Sequence, residues 1–188
     1  MMNLKYMIVS SMLLLAVGCS SSKKIDFAEY LFPDKNLIVE EKYGEVHTKS
    51  SWFVGWSDGS FIKKVETLAP ADIRGTTEVK WNIEGDEIYI TSRDLFTGEL
   101  KKRKYADRYI KESGKVTKDG GEYDIVTVDA SVDTVIGKLS PCIVVKIERK
   151  RGYSKSTYCK GYGEMQSEEN SSPGYAASIV KVISIKQL

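Results

Sequence analysis

From Leu37 onward the apolar residues fall in short runs rich in Val, Ile, Thr, Tyr and Trp, separated by Gly, Asp and Ser. No window longer than ten residues keeps an apolar 3.6-residue period, so the pattern predicts a mainly β chain. Asp58-Gly59 suits a two-residue hairpin turn between Trp52 to Ser57 and Ser60 to Leu68, and Gly85-Asp86 suits another between Val79 to Glu84 and Glu87 to Ser92. Thr97-Gly98, Ser113-Gly114, Asp119-Gly120-Gly121 and Arg151-Gly152 mark further turns at meander spacing, which gives about ten strands. Ile143-Val144-Val145 and Ile179 to Ile183 are apolar on both faces, as central strands covered on each side would be. Leu100 to Lys111 carries Lys101, Lys102, Arg103 and Lys104 and has no clean apolar face, the profile of an exposed or edge strand. One short helix is predicted at Phe27 to Phe32, stopped by Pro33. The expected fold is a single curved antiparallel sheet, a meander forming a half-open barrel.

The first 18 residues have a different pattern. Lys5 precedes an almost wholly apolar run from Tyr6 to Val17 that ends at Gly18, the order of a signal peptide. A run of about a dozen residues is shorter than the roughly 20 that a spanning helix needs. Leu15-Ala16-Val17-Gly18-Cys19 resembles the lipobox of bacterial lipoproteins, which implies that Cys19 becomes the first mature residue and carries the acyl chains, palmitate among them. Ser20 after the cysteine resembles the pattern routed to an outer membrane. The chain then divides into a signal peptide at 1–18, a lipidated N-terminus and tether at 19–24, and one β domain at 25–188. Ser20 to Lys24 span at most about 18 Å, so the folded body is expected close to the bilayer.

Composition narrows the function classes. Lys and Arg number 28 against 26 Asp and Glu, a net charge of +2 that provides no field for nucleic acid. His47 is the one histidine, so a histidine-rich metal site is excluded and a hydrolase would have to run its chemistry through that residue. Phosphate loops, C-x-x-C and His-Glu-x-x-His are missing, and no cofactor is implied. Pairs such as Glu40-Glu41 and Glu168-Glu169 point to opposite faces if they lie in strands. Lys101, Lys102, Arg103, Lys104 and Arg108, joined by Arg149, Lys150 and Arg151, form a candidate patch for an anionic envelope partner; the competing reading is an edge strand kept from aggregating by its lysines. Trp52, Trp56, Phe61 and Trp81 are read as core, with a ligand groove as the alternative.

Asp26-Phe27-Ala28-Glu29-Tyr30-Leu31-Phe32-Pro33 after the lipobox, and a late hairpin into Tyr158-Cys159-Lys160-Gly161-Tyr162-Gly163-Glu164-Met165, resemble uncharacterised outer-membrane lipoproteins of Campylobacter and Helicobacter relatives. The aromatic-x-Lys-Gly-x-Gly segment is also similar to half-barrel envelope lipoproteins that carry lipids or lipoproteins. The resemblance implies a fold and a compartment and supplies no binding residues. Asn170-Ser171-Ser172, with Glu168 two residues upstream, resembles the extended glycosylation acceptor of the same bacteria, and this polar tract is expected to be an exposed loop.

Lipidation of Cys19 leaves Cys142 and Cys159 as an even pair in an exported protein, where a disulfide is expected. A turn centred between Lys150 and Arg151 sets them directly opposite, whereas one centred on Arg151-Gly152, which glycine favours, makes them diagonal. The leading functional expectation is a non-enzymatic, membrane-anchored lipoprotein facing the periplasm that binds an envelope protein or glycan near the bilayer. The alternatives are a carrier holding a lipid or acyl chain in the concave face of a half barrel, and a hydrolase relying on His47.

Overall fold

The computed structural model describes residues 23–55, 60–93, 98–171 and 177–188. Fourteen strands and one short helix are found among them, with the N-terminal segment first: β1 (Lys24–Asp26) and α1 (Ala28–Leu31). Strands β2 (Leu37–Tyr43), β3 (Val46–Gly55), β4 (Ser60–Ala69), β5 (Gly75–Glu84), β6 (Glu87–Arg93) and β7 (Leu100–Asp107) follow as a meander. The chain continues through β8 (Tyr109–Lys111) and β9 (Lys115–Lys118) into the long hairpin β10 (Gly121–Thr134) and β11 (Gly137–Arg149). It ends with β12 (Gly152–Cys159), β13 (Gly163–Asn170) and β14 (Ser178–Gln187). All but β1 and β8 belong to one curved antiparallel sheet of twelve strands. The sheet runs in chain order from β9 to β14 and on into β2, and it closes where Ala106 of β7 meets Lys118 of β9. The closure rests on the Ala106–Lys118 pair and on the Asp119 N–H bond to the Tyr105 carbonyl at 2.5 Å, so Leu100 to Lys104 keep an edge with no strand paired on that side among the described residues. The edge character expected of this lysine-rich strand is therefore correct, while the barrel is more nearly closed than expected.

The local signals explain much of this order. Gly85, with φ of +60°, and Asp86 form the two-residue turn joining β5 to β6, where Glu84 faces Glu87. Asp119 and Gly120, at φ of +50° and +74°, turn β9 into β10. The Asp58-Gly59 turn lies outside the described residues, although the two strands it was expected to join pair from Gly55 to Ser60 onward. The strands outnumber the ten expected because Gly44-Glu45 and Val135-Ile136 also turn the chain. Ile143 and Val145 are fully buried and Val144 nearly so, as expected for a covered strand. β14 departs from that expectation, since Ile179 and Ile183 are 40% and 42% exposed on its outer face.

The turn after β11 answers the question of register. Arg149 pairs with Gly152, so Lys150 and Arg151 are the turn residues, and Cys142 falls directly opposite Cys159. Their Cα atoms are 4.1 Å apart and the disulfide is formed, the close spacing expected of a pair that shares no backbone hydrogen bonds. Glycine at 152 serves the neighbouring strand rather than the turn. Its φ is +141°, and a Cβ there would lie 1.7 Å from the carbonyl oxygen of Asn170 on β13.

The segment Phe27 to Pro33 closes one end of the barrel. Phe27 is fully buried and meets the ring of Tyr158 edge-on at 5.6 Å. Phe32 stacks on Phe61 at 4.1 Å and stands edge-on to Trp52 and Trp81, each at 6.1 Å. Pro33 ends the helix as expected and bridges to Gly161 and Tyr162. The turn between β12 and β13 is shaped to receive this plug. Gly161 donates its N–H to the Glu29 carbonyl at 2.9 Å and accepts from the Asp34 N–H at 3.1 Å. A Cβ on Gly163, at φ of +84°, would come within 3.1 Å of the Leu31 carbonyl oxygen. The Lys-Gly-x-Gly segment is thus the socket of the plug.

Gly152→Ala is expected to destabilise the protein by about 2–4 kcal/mol, because the backbone of β13 has to move to admit the methyl group. Gly75→Ala, at an ordinary φ with nothing within 4 Å, should stay within about 0.5 kcal/mol of the parent. Urea denaturation of the two variants checks the contrast, and equal losses would refute the steric role of Gly152.

Candidate functional site

The candidate residues fall in separate places. Cys19 and Trp56 lie outside the described residues. His47 sits on β3 and pairs through its Nε2 with Glu40 at 3.2 Å on the outer wall. Glu40 and Glu41 do point to opposite faces: Glu40 bonds His47 outside, and Glu41 lines the interior.

Several of the basic residues are ion-paired with acids on neighbouring elements. Lys102 pairs with Glu84 at 2.6 Å, Arg103 with Asp119 at 2.6 Å, and Lys104 with both Glu87 at 2.8 Å and Asp107 at 2.7 Å. The hydrogen bonds it donates to Asp107 and Glu87 hold the Lys104 ammonium above its ordinary range. Lys101 belongs to the same exposed strand. Arg108 belongs to the plug end, where its guanidinium bonds both ways to Asp26 Oδ2 at 2.8 and 3.0 Å. Arg149 pairs with Glu169 at 3.2 Å, and Lys150 and Arg151 form the exposed turn beyond it. Alternating acids on adjacent strands make this a charge-paired wall.

Asn170 also stands elsewhere than expected. Glu168, Glu169 and Asn170 are the last residues of β13, paired with Lys155, Ser154 and Tyr153. The Tyr153 hydroxyl bonds Glu168, and the Arg149–Glu169 ion pair continues the ladder, so the strand runs three residues further than its polarity suggests. Ser171 is exposed, and Ser172 begins a segment outside the described residues.

Two hollows have the geometry of sites. The first lies inside the barrel, a chamber of about 70 Å³ walled by Phe32, Trp52, Trp81 and Tyr105 and lined by the polar groups of Glu41, Ser50, Lys63, Tyr158 and Glu164. Trp52 and Trp81 stack at 5.3 Å, and the Lys63 ammonium lies 5.2 Å from the Trp52 ring centre. A space of this size holds a few water molecules rather than an acyl chain. Burial pushes the Glu41 carboxyl above its ordinary value; Lys63 opposes the shift and Glu164 adds to it. Burial, reinforced by Glu164, raises the Tyr105 and Tyr158 phenols well beyond their usual range. Ser50 Oγ and Trp81 Nε1 are buried without a hydrogen-bond partner. The Tyr158 hydroxyl makes no well-formed bond either, although the Ser156 hydroxyl bears on it. Each unmet group costs about 1–3 kcal/mol if the chamber is dry.

The second hollow is a pocket of about 380 Å³ at the plug end, with an apolar floor of Ala28, Phe32, Pro33, Phe61 and Ile83. Two ion pairs flank it, Asp26–Arg108 at 2.8 Å and Glu29–Lys160 at 2.8 Å. Nothing in the residue order announces either hollow, because each combines side chains from strands far apart in sequence. The repeated inward aromatics and the plug sequence were the available signals.

No protein-family model and no curated protein matches the chain. Two solved structures share its fold. One is described as a putative lipoprotein from Parabacteroides distasonis, at 12% identity and a TM-score of 0.53, covering 84% of this chain and 98% of that one. The other is described as a putative exported protein with YmcC-like fold from Bacteroides fragilis, at 13% identity and a TM-score of 0.55, covering 84% and 99%. Both come from Bacteroides relatives rather than from the bacteria whose lipoproteins the chain ends resemble. At these identities they show a shared fold alone, a curled antiparallel sheet.

The raised Glu41 carboxyl sets a pH dependence. A carboxyl held above 4.5 in the folded state favours folding fully below that value and loses the contribution as pH rises through the folded pKa. Glu41→Gln should therefore flatten the stability profile above pH 4.5 and gain relative to the parent toward neutral pH. Thermal melts across that range check it; parallel profiles would show that Glu41 is not desolvated.

Proposed function

We propose that the protein is a non-enzymatic lipoprotein, anchored through Cys19 to the periplasmic face of the outer membrane, whose plug end meets an envelope partner, protein or glycan, close to the bilayer. The observation that carries this reading is where the N-terminal segment enters the barrel. β1 pairs with β8 from Lys24 against Lys111 to Asp26 against Tyr109, and the Phe27 N–H bonds the Arg108 carbonyl at 2.6 Å. The described chain therefore leaves the body at Lys23, and the four residues from Ser20 to Lys23 reach at most about 14 Å. A lipid on Cys19 holds the plug end at the membrane, and the 380 Å³ pocket beside Asp26 lies on that end. Stable anchoring follows from two or more acyl chains, since each buried methylene contributes about 0.8 kcal/mol.

The lipoprotein and exported-protein descriptions of the two structural neighbours support an envelope setting. The resemblance of the chain ends to Campylobacter and Helicobacter lipoproteins belongs to the same proposal. So does glycosylation of Asn170, which requires the end of β13 to open, because the Asn170 backbone pairs with Tyr153.

Photo-crosslinking in cells tests the reading. A crosslinking residue at Phe61, in the pocket floor, should capture a discrete envelope partner, and one at Glu45, at the opposite end, should not. Cys19→Ala should release the protein from the membrane and abolish the capture. Equal capture at both ends, or retention of the Cys19→Ala protein on the membrane, would refute it.

A further inference from the structure

The interior chamber holds more hydrogen-bonding capacity than the fold itself uses. Ser50, Trp81 and Tyr158 are 1%, 8% and 2% exposed, and Ser50 Oγ, Trp81 Nε1 and the Tyr158 hydroxyl have no well-formed partner there. Glu41, Lys63 and Glu164 line the same space. Buried polar groups of this kind are almost always met, by protein, water or ligand.

The wall beside the chamber has a gap. β13 and β14 are paired only from Gln166 to Glu169 against Ser178 to Lys181. Next to that stretch β13 shifts register after Thr157 of β12, and β14 shifts between Val182 and Ser184. The side chain of Met165 lies in this interval. It lines the chamber on one side and, on the other, a separate groove of about 390 Å³ shared with Val132, Thr134, Gln166, Ile179 and Val182. Its flexible thioether lies between the two, packed in one cluster with Cys142 and Cys159.

We propose that the chamber binds a compact polyhydroxylated molecule, admitted through the gap that Met165 covers. The chemistry of the lining selects this class. The Trp81 indole and the Lys63 ammonium only donate, ionised Glu41 and Glu164 only accept, and the Ser50 and Tyr158 hydroxyls do both. A guest has to accept and donate at closely spaced atoms, which neighbouring hydroxyls do. A carboxylate guest that takes the donors Lys63 and Trp81 leaves two glutamates facing it, and an ammonium guest that takes the glutamates leaves Lys63 and the indole N–H facing it, whereas a neutral polyol can meet both sets. The chamber volume of about 70 Å³ admits only a handful of non-hydrogen atoms at a time. The aromatic walls face the C–H side of such a molecule. This assignment is independent of the membrane anchor.

The test is a titration of the full mature protein with glycerol, using sodium acetate and ethylammonium chloride as charged probes of similar size. Trp52 and Trp81 report through their emission because both rings line the chamber. Glycerol is expected to give a saturable change, and the two charged probes none. Tyr158→Phe keeps the ring and removes one hydroxyl, so it should weaken the glycerol response about two- to tenfold, the value of one hydrogen bond. Urea denaturation confirms that the variant is folded. If it is not, Ser50→Ala, a smaller change in the same lining, takes its place with the same expectation. A linear response common to all three probes would mean that the chamber holds only water. A saturable response unchanged in the folded variant would place the site elsewhere. Either result overturns the proposal.

Discussion

A sheet of twelve strands that curls onto itself encloses more space than a small barrel can fill with its own inward side chains, and the protein meets that constraint by inserting its own N-terminal segment. The ring of Phe32 reaches Phe61, Trp52 and Trp81 on three consecutive strands, while Phe27 reaches Tyr158 on the far side of the sheet. Four strands, β3, β4, β5 and β12, contribute side chains to the packing around those two rings. The glycine socket at Gly161 and Gly163, the Arg108–Asp26 and Lys160–Glu29 ion pairs and the β1–β8 pairing all serve to seat the same few residues.

Past the plug, the filling changes character. Aromatic rings give way to Ser50, Glu41, Lys63 and Glu164, and the chamber between them stays small because Trp52 and Trp81 stack across its wall. The same boundary explains the shifted carboxyl and phenols: desolvation acts on groups that the plug and the rings shield from water. The strand that leads into the plug is itself held to the body, Lys24 to Asp26 pairing with Lys111 to Tyr109. Core and chamber thus depend on one insertion.

The sequence made the sheet legible wherever local chemistry decided the structure. Gly85-Asp86 and Asp119-Gly120 turned as their conformational preferences require, and the lysines of β7 marked an edge. Long-range contacts were not legible. Gly152 reads locally as a turn residue, yet it is required by the Asn170 carbonyl of the next strand; the turn falls one residue earlier, on Lys150 and Arg151, and sets the cysteines opposite each other. The acids that pair with the basic residues of β7 were not legible as their partners, because Glu84, Glu87 and Asp119 come from two other strands and the β9–β10 turn. Ile179 and Ile183 looked buried because an apolar run carries no information about which face is left uncovered. The interior chamber, assembled from seven strands and the plug, had no local signal beyond its aromatics.

The central claim is that the inserted plug holds the barrel in its folded form. Urea unfolding of Phe32→Ala, followed by the emission of Trp52 and Trp81, tests it most directly, since the ring removed is the one that touches both. Loss of this side chain should destabilise the protein by about 3–5 kcal/mol, the range for a large aromatic removed from a packed core. A loss below about 1 kcal/mol, with the tryptophan emission of the folded state unchanged, would show that the barrel stands without its plug and contradict the account.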